Sequence, residues 1–177
     1  MKICILSSSL NKKSRSLVMS RFAATVFESK GVETDVINLK KFDLPFCDGD
    51  HVYKNENVRK LKSRIKACQG IIIATPIYNY DANAVIKNVI ELTGSAWEDK
   101  TVGFLCKAGG QKSYMSIMGL ANSLMLDFRC VIIPRFVYAL SSSFDKENEE
   151  LVDNKIKERI EELCKKVIQI TAALKTT

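Results

Sequence analysis

Three short segments of this sequence carry residue types that are able to bind and orient a small molecule. The first runs from Ser7 to Ser16, where five of ten residues are serine and three are basic. Hydroxyl groups and backbone N–H groups at the start of a helix bind phosphate, and an arginine adds a fork of donors. We therefore expect a phosphate contact from Ser7, Ser9, Asn11, Ser14, Arg15 and Ser16. The alternative is a polar turn in which Ser14 only caps a helix.

The second segment runs from Thr75 to Asn83 and combines one proline with two tyrosines. We expect Pro76 to fix a turn after a buried strand, so that the following backbone offers N–H and C=O groups to a flat heterocycle. The ring of Tyr78 is available for stacking on such a ligand. The candidate contacts are Pro76, Ile77, Tyr78 and Asn79. The alternative is a group of aromatic side chains packed under a loop.

The third segment, Lys107 to Gln111, contains two adjacent glycines. Glycines allow the backbone to approach a ligand closely, so we expect Ala108, Gly109 and Gly110 to contact it. A tight turn into the next helix would explain the same residues without a ligand. Lys107 or Lys112 would add positive potential beside the glycines.

Alternating strands and helices must position these segments. Apolar runs predict five strands at 2–7, 32–39, 70–75, 100–106 and 130–138, and amphipathic stretches predict five helices at 14–30, 56–68, 83–93, 112–128 and 145–174. This alternation predicts one α/β doubly wound domain over residues 1–177, with a parallel sheet and helices on both faces. No glycine precedes Gly31, which excludes a glycine-rich dinucleotide turn and favours the flavodoxin-like strand order 2-1-3-4-5. Pro134 marks the fifth strand as an edge strand or a bulge.

In that strand order the three segments meet at one edge of the sheet, since they follow the first, third and fourth strands. One shared ligand with a phosphate and a planar ring system explains all three segments better than three separate coincidences. These features point to flavin mononucleotide (FMN).

Composition and charge exclude several other classes of protein. The net charge of +7 comes from basic residues spread over helices without interleaved aromatic side chains, which disfavours a nucleic-acid partner. No apolar run is long enough to span a membrane, and the first ten residues lack the apolar core of a signal peptide, so we expect a cytoplasmic protein. The six cysteines are widely spaced and His51 is the only histidine. We therefore expect reduced thiols and no metal site.

The chain resembles the NAD(P)H-dependent FMN reductase family of flavodoxin-like proteins from Lys2 to about Ser143. The resemblance rests on the serine segment, on NLKKFDLPFCDGD after the second strand, on TPIYNYDANAVIKNVIEL and on AGGQ. It implies FMN held by three loops: Ser9, Ser14 and Ser16 match the phosphate loop, Pro76 to Asn79 match the segment along the ring system, and Gly109 and Gly110 match the loop at its other edge. In two positions the sequence departs from the family, with Ser8 where glycine is frequent and Asn11 where many members have arginine; Arg15 is the candidate substitute.

The resemblance implies hydride transfer from NADPH or NADH to the flavin and then to a small acceptor such as free flavin, a quinone, an azo dye or a metal oxyanion. The cofactor carries that chemistry, so we expect no catalytic acid or base. It also implies a homodimer or homotetramer, with contacts from the connection between Asp43 and Tyr53 and from the third and fourth helices. The alternatives are a flavodoxin-type electron carrier, which the +7 charge disfavours, a flavin reductase component of a two-component monooxygenase, and a regulatory subunit with a decayed site.

Overall fold

The computed structural model describes residues 1–145 and 150–174. The strands are β1 Lys2–Ser7, β2 Glu33–Asn38, β3 Gly70–Tyr78, β4 Asp81–Ala82, β5 Thr101–Lys107, β6 Val131–Ile132 and β7 Val137–Ala139. The helices are α1 Arg15–Ser29, α2 Glu56–Lys66, α3 Ala84–Thr93, α4 Met118–Phe128 and α5 Asn154–Leu174. Single 3-10 turns occur at 39–41, 51–54, 94–97, 111–113 and 141–143.

The strand order confirms the predicted flavodoxin-like α/β fold, with a different strand count. Within the described residues the sheet has seven strands rather than five. Five follow the order β2-β1-β3-β5-β6, while β4 pairs with β3 and β7 pairs with β5. The predicted fifth strand is split, because both β6 and β7 pair in parallel with β5 and Pro134 lies in the gap between them. Proline has no N–H to donate, and Arg135 adopts a left-handed φ of 64°. The strand is therefore an interrupted edge strand.

The third strand is longer than expected, and the prediction that Pro76 fixes a turn is wrong. Pro76 lies inside β3, in register with Lys107 of β5. The C=O of Ala74 accepts from the N–H of Ser8 at 3.0 Å, so Pro76, two residues later, also faces the β1 side. Pairing with β1 stops at Ala74, so no ladder bond is lost to the proline.

The actual turn after β3 is a hairpin at Asn79 and Tyr80. Both residues adopt left-handed φ angles, 49° and 64°, as a two-residue hairpin turn requires. The hairpin leads into β4, which pairs antiparallel with Ile77 and Tyr78. The helix that follows begins at Ala84, close to its predicted start.

Two helices begin later than the sequence predicts. α4 was expected from Lys112 but starts at Met118, because Met115 has a φ of 68° that interrupts a helical path. α5 was expected from Asp145 but starts at Asn154, where Asp153 Oδ1 accepts from the N–H groups of the next turn at 3.0 and 3.3 Å. Residues 146–149, which the prediction included, lie outside the described residues.

Helices cover both faces of the sheet, as predicted. On one face Val102 and Phe104 pack against α2, α3 and α4, together with Trp97, whose Nε1 donates to Thr93 Oγ1 at 2.7 Å. On the other face Leu105 packs with residues of α1 and α5. Both layers leave the carboxyl ends of β1, β3 and β5 at one edge of the sheet.

Among the described helices, none combines the length and the apolar character needed to cross a bilayer.

Candidate functional site

A cleft of about 470 Å³ lies at the carboxyl ends of β1, β3 and β5. All three predicted segments contribute to it. Of the predicted contact residues, its lining includes Ser9, Asn11, Arg15, Ser16, Pro76, Ile77, Tyr78 and Gly109, and it adds Lys13 and Lys107. Ser7, Ser14, Asn79, Ala108 and Gly110 lie in the same segments but do not line the cleft.

The first segment presents the start of α1 to the cleft. Ser14 caps the helix, and its Oγ accepts from the N–H of Leu17 at 3.1 Å. The N–H groups of Arg15 and Ser16 precede the first intrahelical hydrogen bonds, so they are available at the positive end of the helix dipole. The structure thus confirms the capping role of Ser14, and this role leaves the N–H groups at the start of α1 available to an anion.

The loop before α1 is ordered by its own side chains. The N–H of Asn11 donates to Ser9 Oγ at 3.3 Å, and the N–H of Lys13 donates to Asn11 Oδ1 at 2.9 Å. Asn11 therefore shapes the loop as well as lining the cleft. Ser7, at the end of β1, is fully buried, and its Oγ has no hydrogen-bond partner in the part of the chain that the structure describes. Because Ser7 does not line the cleft, this hydroxyl is not exposed to a ligand bound there.

Ser8, the first departure from the family pattern, takes part in a buried hydrogen-bond cluster around Asn83. Ser8 Oγ and Thr75 Oγ1 both donate to Asn83 Oδ1, at 2.8 and 3.2 Å, and Asn83 Nδ2 donates to the C=O of Ser8 at 2.8 Å. The cluster joins the loop after β1 to the end of β3. Sequence analysis missed it, because contacts 75 residues apart leave no periodic signal.

Two cations, one from β5 and one from α1, meet on one wall of the cleft. Lys107 Nζ donates to Ser141 Oγ at 3.1 Å, and the guanidinium of Arg15 lies 5.4 Å from the ring centroid of Phe144. Burial, and next the charge of Arg15, lower the pKa of Lys107. None of the described residues that line the cleft is acidic. The cleft is therefore suited to an anion.

The glycine segment leaves open space beside the cleft. A Cβ placed on Gly109 or Gly110 would meet no atom within 4 Å. Neither residue has the positive φ that would require glycine. No internal contact explains this pair of glycines, which is consistent with an approaching ligand.

Exposed aromatic residues occur in the cleft lining and in the segments that continue from it. Tyr78 lines the cleft and is 56% exposed. Tyr80, in the hairpin turn, donates its hydroxyl to the C=O of Tyr114 at 3.1 Å. The sequence analysis singled out Tyr78 and did not find the contact between Tyr80 and Tyr114.

The remaining reactive side chains lie elsewhere. All six cysteines are free thiols, and burial raises the pKa of Cys106, on the face opposite α1, to about 12. His51 is on the surface. The described residues contain no cluster of three or more His, Cys, Asp or Glu residues arranged to hold a metal ion.

Comparisons with known proteins agree with this geometry. A family model described as NADPH-dependent FMN reductase matches residues 1–145. An NAD(P)H-dependent FAD/FMN reductase of Geobacillus thermodenitrificans is 29% identical over 147 residues, which cover 82% of this chain and 79% of that protein. An NADPH azoreductase of a Bacillus species is 27% identical over 139 residues, 77% of this chain and 75% of that protein.

The fold is also found in solved structures. The flavoenzyme NAD(P)H:(acceptor) oxidoreductase FerB from Paracoccus denitrificans superimposes with a TM-score of 0.79. The match covers 97% of each chain at 19% sequence identity, so it shows similarity of fold.

Proposed function

The chain belongs to the NADPH-dependent FMN reductase family, and we propose that its cleft binds FMN with the phosphate at the start of α1. It is an FMN-dependent oxidoreductase with NAD(P)H as the electron donor. The observation that carries the proposed binding mode is the cleft lining, in which Lys13, Arg15 and Lys107 occur without any acidic side chain. When bound, FMN accepts a hydride from NAD(P)H and passes the two electrons to a small-molecule acceptor.

The residues of the phosphate end complement a dianion. The free N–H groups of Arg15 and Ser16, the hydroxyl of Ser9 and the dipole of α1 all favour negative charge. Asn11 stands where many family members have an arginine, and here Arg15 and Lys107 supply positive charge to the same cleft. Ser7 is fully buried and does not line the cleft, so it is not among the direct contacts that we propose.

The ring end is built from backbone and aromatic surface. Pro76, Ile77 and Tyr78 line the cleft along the end of β3, with Asn79 in the turn beyond them. Gly109 lines the same cleft, and its neighbours Ala108 and Gly110 are the remaining proposed contacts of this segment. The N–H of Ala108 donates to the C=O of Ala139 at 3.0 Å, which ties the segment to β7. None of the described lining residues is an acid, a histidine or a cysteine, so we assign no side chain as proton donor or acceptor.

An absorption titration tests the function directly. The purified protein is mixed with FMN, made anaerobic, and treated with NADH or NADPH. We expect a protein-bound flavin spectrum that bleaches with at least one nucleotide. A protein that binds no FMN and does not accelerate nucleotide oxidation in its presence would refute the proposal. Acceleration without stable binding would identify flavin as a substrate, as in the reductase component of a two-component monooxygenase.

We further propose that the chain, residues 1–177, is one domain that acts as a homodimer in the cytoplasm, with a homotetramer as the alternative. The free thiols of all six cysteines suit a reducing compartment. Phe46 supports self-association, because its ring is 84% exposed on a segment that Asn88 holds in place. Asn88 Oδ1 accepts from the N–H of Cys47, and its Nδ2 donates to the C=O of Pro45, both at 2.9 Å.

A further inference from the structure

Four large side chains are exposed on two segments that continue from residues lining the cleft, and one of the four, Tyr78, lines the cleft itself. Tyr78, Tyr80 and Tyr114 are 56%, 60% and 60% exposed, and Met115 is 43% exposed. The two segments are the hairpin turn after β3 and the segment that follows Gly110. Clustered aromatic and methionine side chains on a surface mark a recognition site.

The two segments are joined by one side-chain hydrogen bond. The hydroxyl of Tyr80 donates to the C=O of Tyr114 at 3.1 Å, a contact that we call the tyrosine clasp. Tyr80 and Met115 both adopt left-handed φ angles, 64° and 68°. The hairpin turn accounts for the φ of Tyr80. A bulky residue such as Met115 rarely adopts this conformation unless the surroundings hold it.

The ring of Tyr114 is fixed from beneath by the sheet. It packs on the ring of Tyr138 of β7, with centroids 5.2 Å apart and planes tilted by 55°. Tyr138 is fixed in turn, because its hydroxyl accepts from the N–H of Ile117 at 3.3 Å. Tyr114 is therefore a preorganised aromatic surface, which lowers the entropic cost of binding a flat molecule.

We propose that the tyrosine clasp selects planar aromatic electron acceptors, with Tyr114 as an aromatic wall and Tyr80 as the positioning residue that holds it. This rests on the proposed function. A flat aromatic molecule stacks on a fixed ring, whereas a small inorganic ion has no face to stack. For a naphthoquinone acceptor the balanced reaction is NAD(P)H + quinone + H⁺ → NAD(P)⁺ + hydroquinone, with the electrons passing through the bound cofactor.

The test compares 1,4-naphthoquinone with ferricyanide in the FMN-loaded enzyme. Tyr80→Phe keeps the ring and removes the donated hydrogen bond. We expect the KM for naphthoquinone to rise about three- to tenfold, as the loss of one hydrogen bond predicts. We expect the kcat for naphthoquinone, the kinetics with ferricyanide and the dissociation constant of FMN to stay unchanged.

A second readout requires neither cofactor nor turnover. In the FMN-free protein, Tyr80→Phe should accelerate amide hydrogen exchange in residues 78–82 and 111–117, because each segment loses its tie to the other. Tyr114→Leu keeps the carbonyl acceptor and removes the ring. It should raise the naphthoquinone KM and leave exchange in residues 78–82 slow.

Thr25→Val is the matched control. It also removes an exposed hydroxyl that donates to a backbone carbonyl, that of Phe22 at 2.8 Å, but it lies well along α1. This variant should match the parent in every measurement.

Three results would overturn the proposal. The first is an unchanged naphthoquinone KM and unchanged exchange in Tyr80→Phe. The second is an equal loss of activity with ferricyanide. The third is an altered molecular mass in solution for both Tyr80→Phe and Tyr114→Leu, which would identify the exposed tyrosines as part of an interface between copies of this chain. A parent protein that binds no FMN and reduces neither acceptor would refute the proposed function and this inference with it, while hydrogen exchange would still test the clasp itself.

Discussion

At the residue scale, Lys107 is the side chain for which the structure changes the interpretation most. The sequence offered Lys107 and Lys112 equally as sources of positive potential beside the glycines. In the structure Lys107 lines the cleft with Arg15, while Lys112 lies in the exposed turn at 111–113 and does not line it. The two lysines differ because Lys107 is the last residue of β5. The predicted strand ended one residue earlier, at Cys106, so the sequence did not reveal this difference.

Replacing Lys107 by glutamine should weaken FMN binding about tenfold, because a charge-assisted hydrogen bond to the phosphate is lost. Riboflavin, which has no phosphate, should bind equally to the parent and to Lys107→Gln. Lys112→Gln serves as the control. Fluorescence titration of both flavins measures the effect, and an equal loss of affinity for riboflavin would place Lys107 away from the phosphate.

The pH dependence of FMN affinity provides an independent measurement. Burial and the charge of Arg15 lower the pKa of Lys107 below the ordinary lysine value. In the proposed binding mode the protonated lysine contacts the phosphate, so FMN affinity should be full below that lowered pKa and fall as the pH rises through it. Lys107→Gln should lack this alkaline decrease when the titration is repeated across the same pH range.

At the element scale, the Asn83 cluster adds side-chain hydrogen bonds between the loop after β1 and the end of β3, beyond the point where the strand pairing stops. Asn83→Ala removes three hydrogen bonds. The C=O of Ser8 loses its side-chain donor, and the hydroxyls of Ser8 and Thr75 keep only their contacts to the C=O groups of Ala74 and Pro76, at 3.4 and 3.2 Å. We expect a loss of about 3 kcal/mol in the free energy of unfolding, measured by urea titration. Ser8→Ala removes one of these bonds and should cost about 1 kcal/mol. Equal losses in the two variants would show that Asn83 contributes little beyond its contact with Ser8.

Elements were predictable where the signal is local. Apolar periodicity located β1, α1 and β5 to within a residue or two, and Gly31 ends α1 with the expected positive φ of 70°. The sequence could not predict that Pro76 continues β3, because this depends on where the neighbouring β1 ends. It also could not predict that Met115 delays α4, or that Tyr80 reaches Tyr114, since both depend on contacts between segments.

At the scale of the whole molecule, Phe46 tests the proposed dimer. Phe46→Ser should shift the protein toward a monomer in light scattering at micromolar concentration, because an exposed aromatic ring on a fixed segment is typical of an interface anchor. Leu126 on α4, a helix that is also predicted to contact the partner, is similarly exposed, at 85%. Leu126→Ser tests that second predicted contact in the same assay. A parent protein that is already monomeric would contradict the proposed dimer.

The single tryptophan gives these experiments a common optical probe. Trp97 is fully buried in the turn before β5, at the opposite edge of the sheet from the cleft. Its emission should be blue-shifted in the native state and move to longer wavelength on denaturation. Flavins absorb in the region where indole emits, so ligand capture should dim the signal by energy transfer without shifting its wavelength. Intensity and colour therefore separate a variant that has lost its ligand from one that has lost its fold.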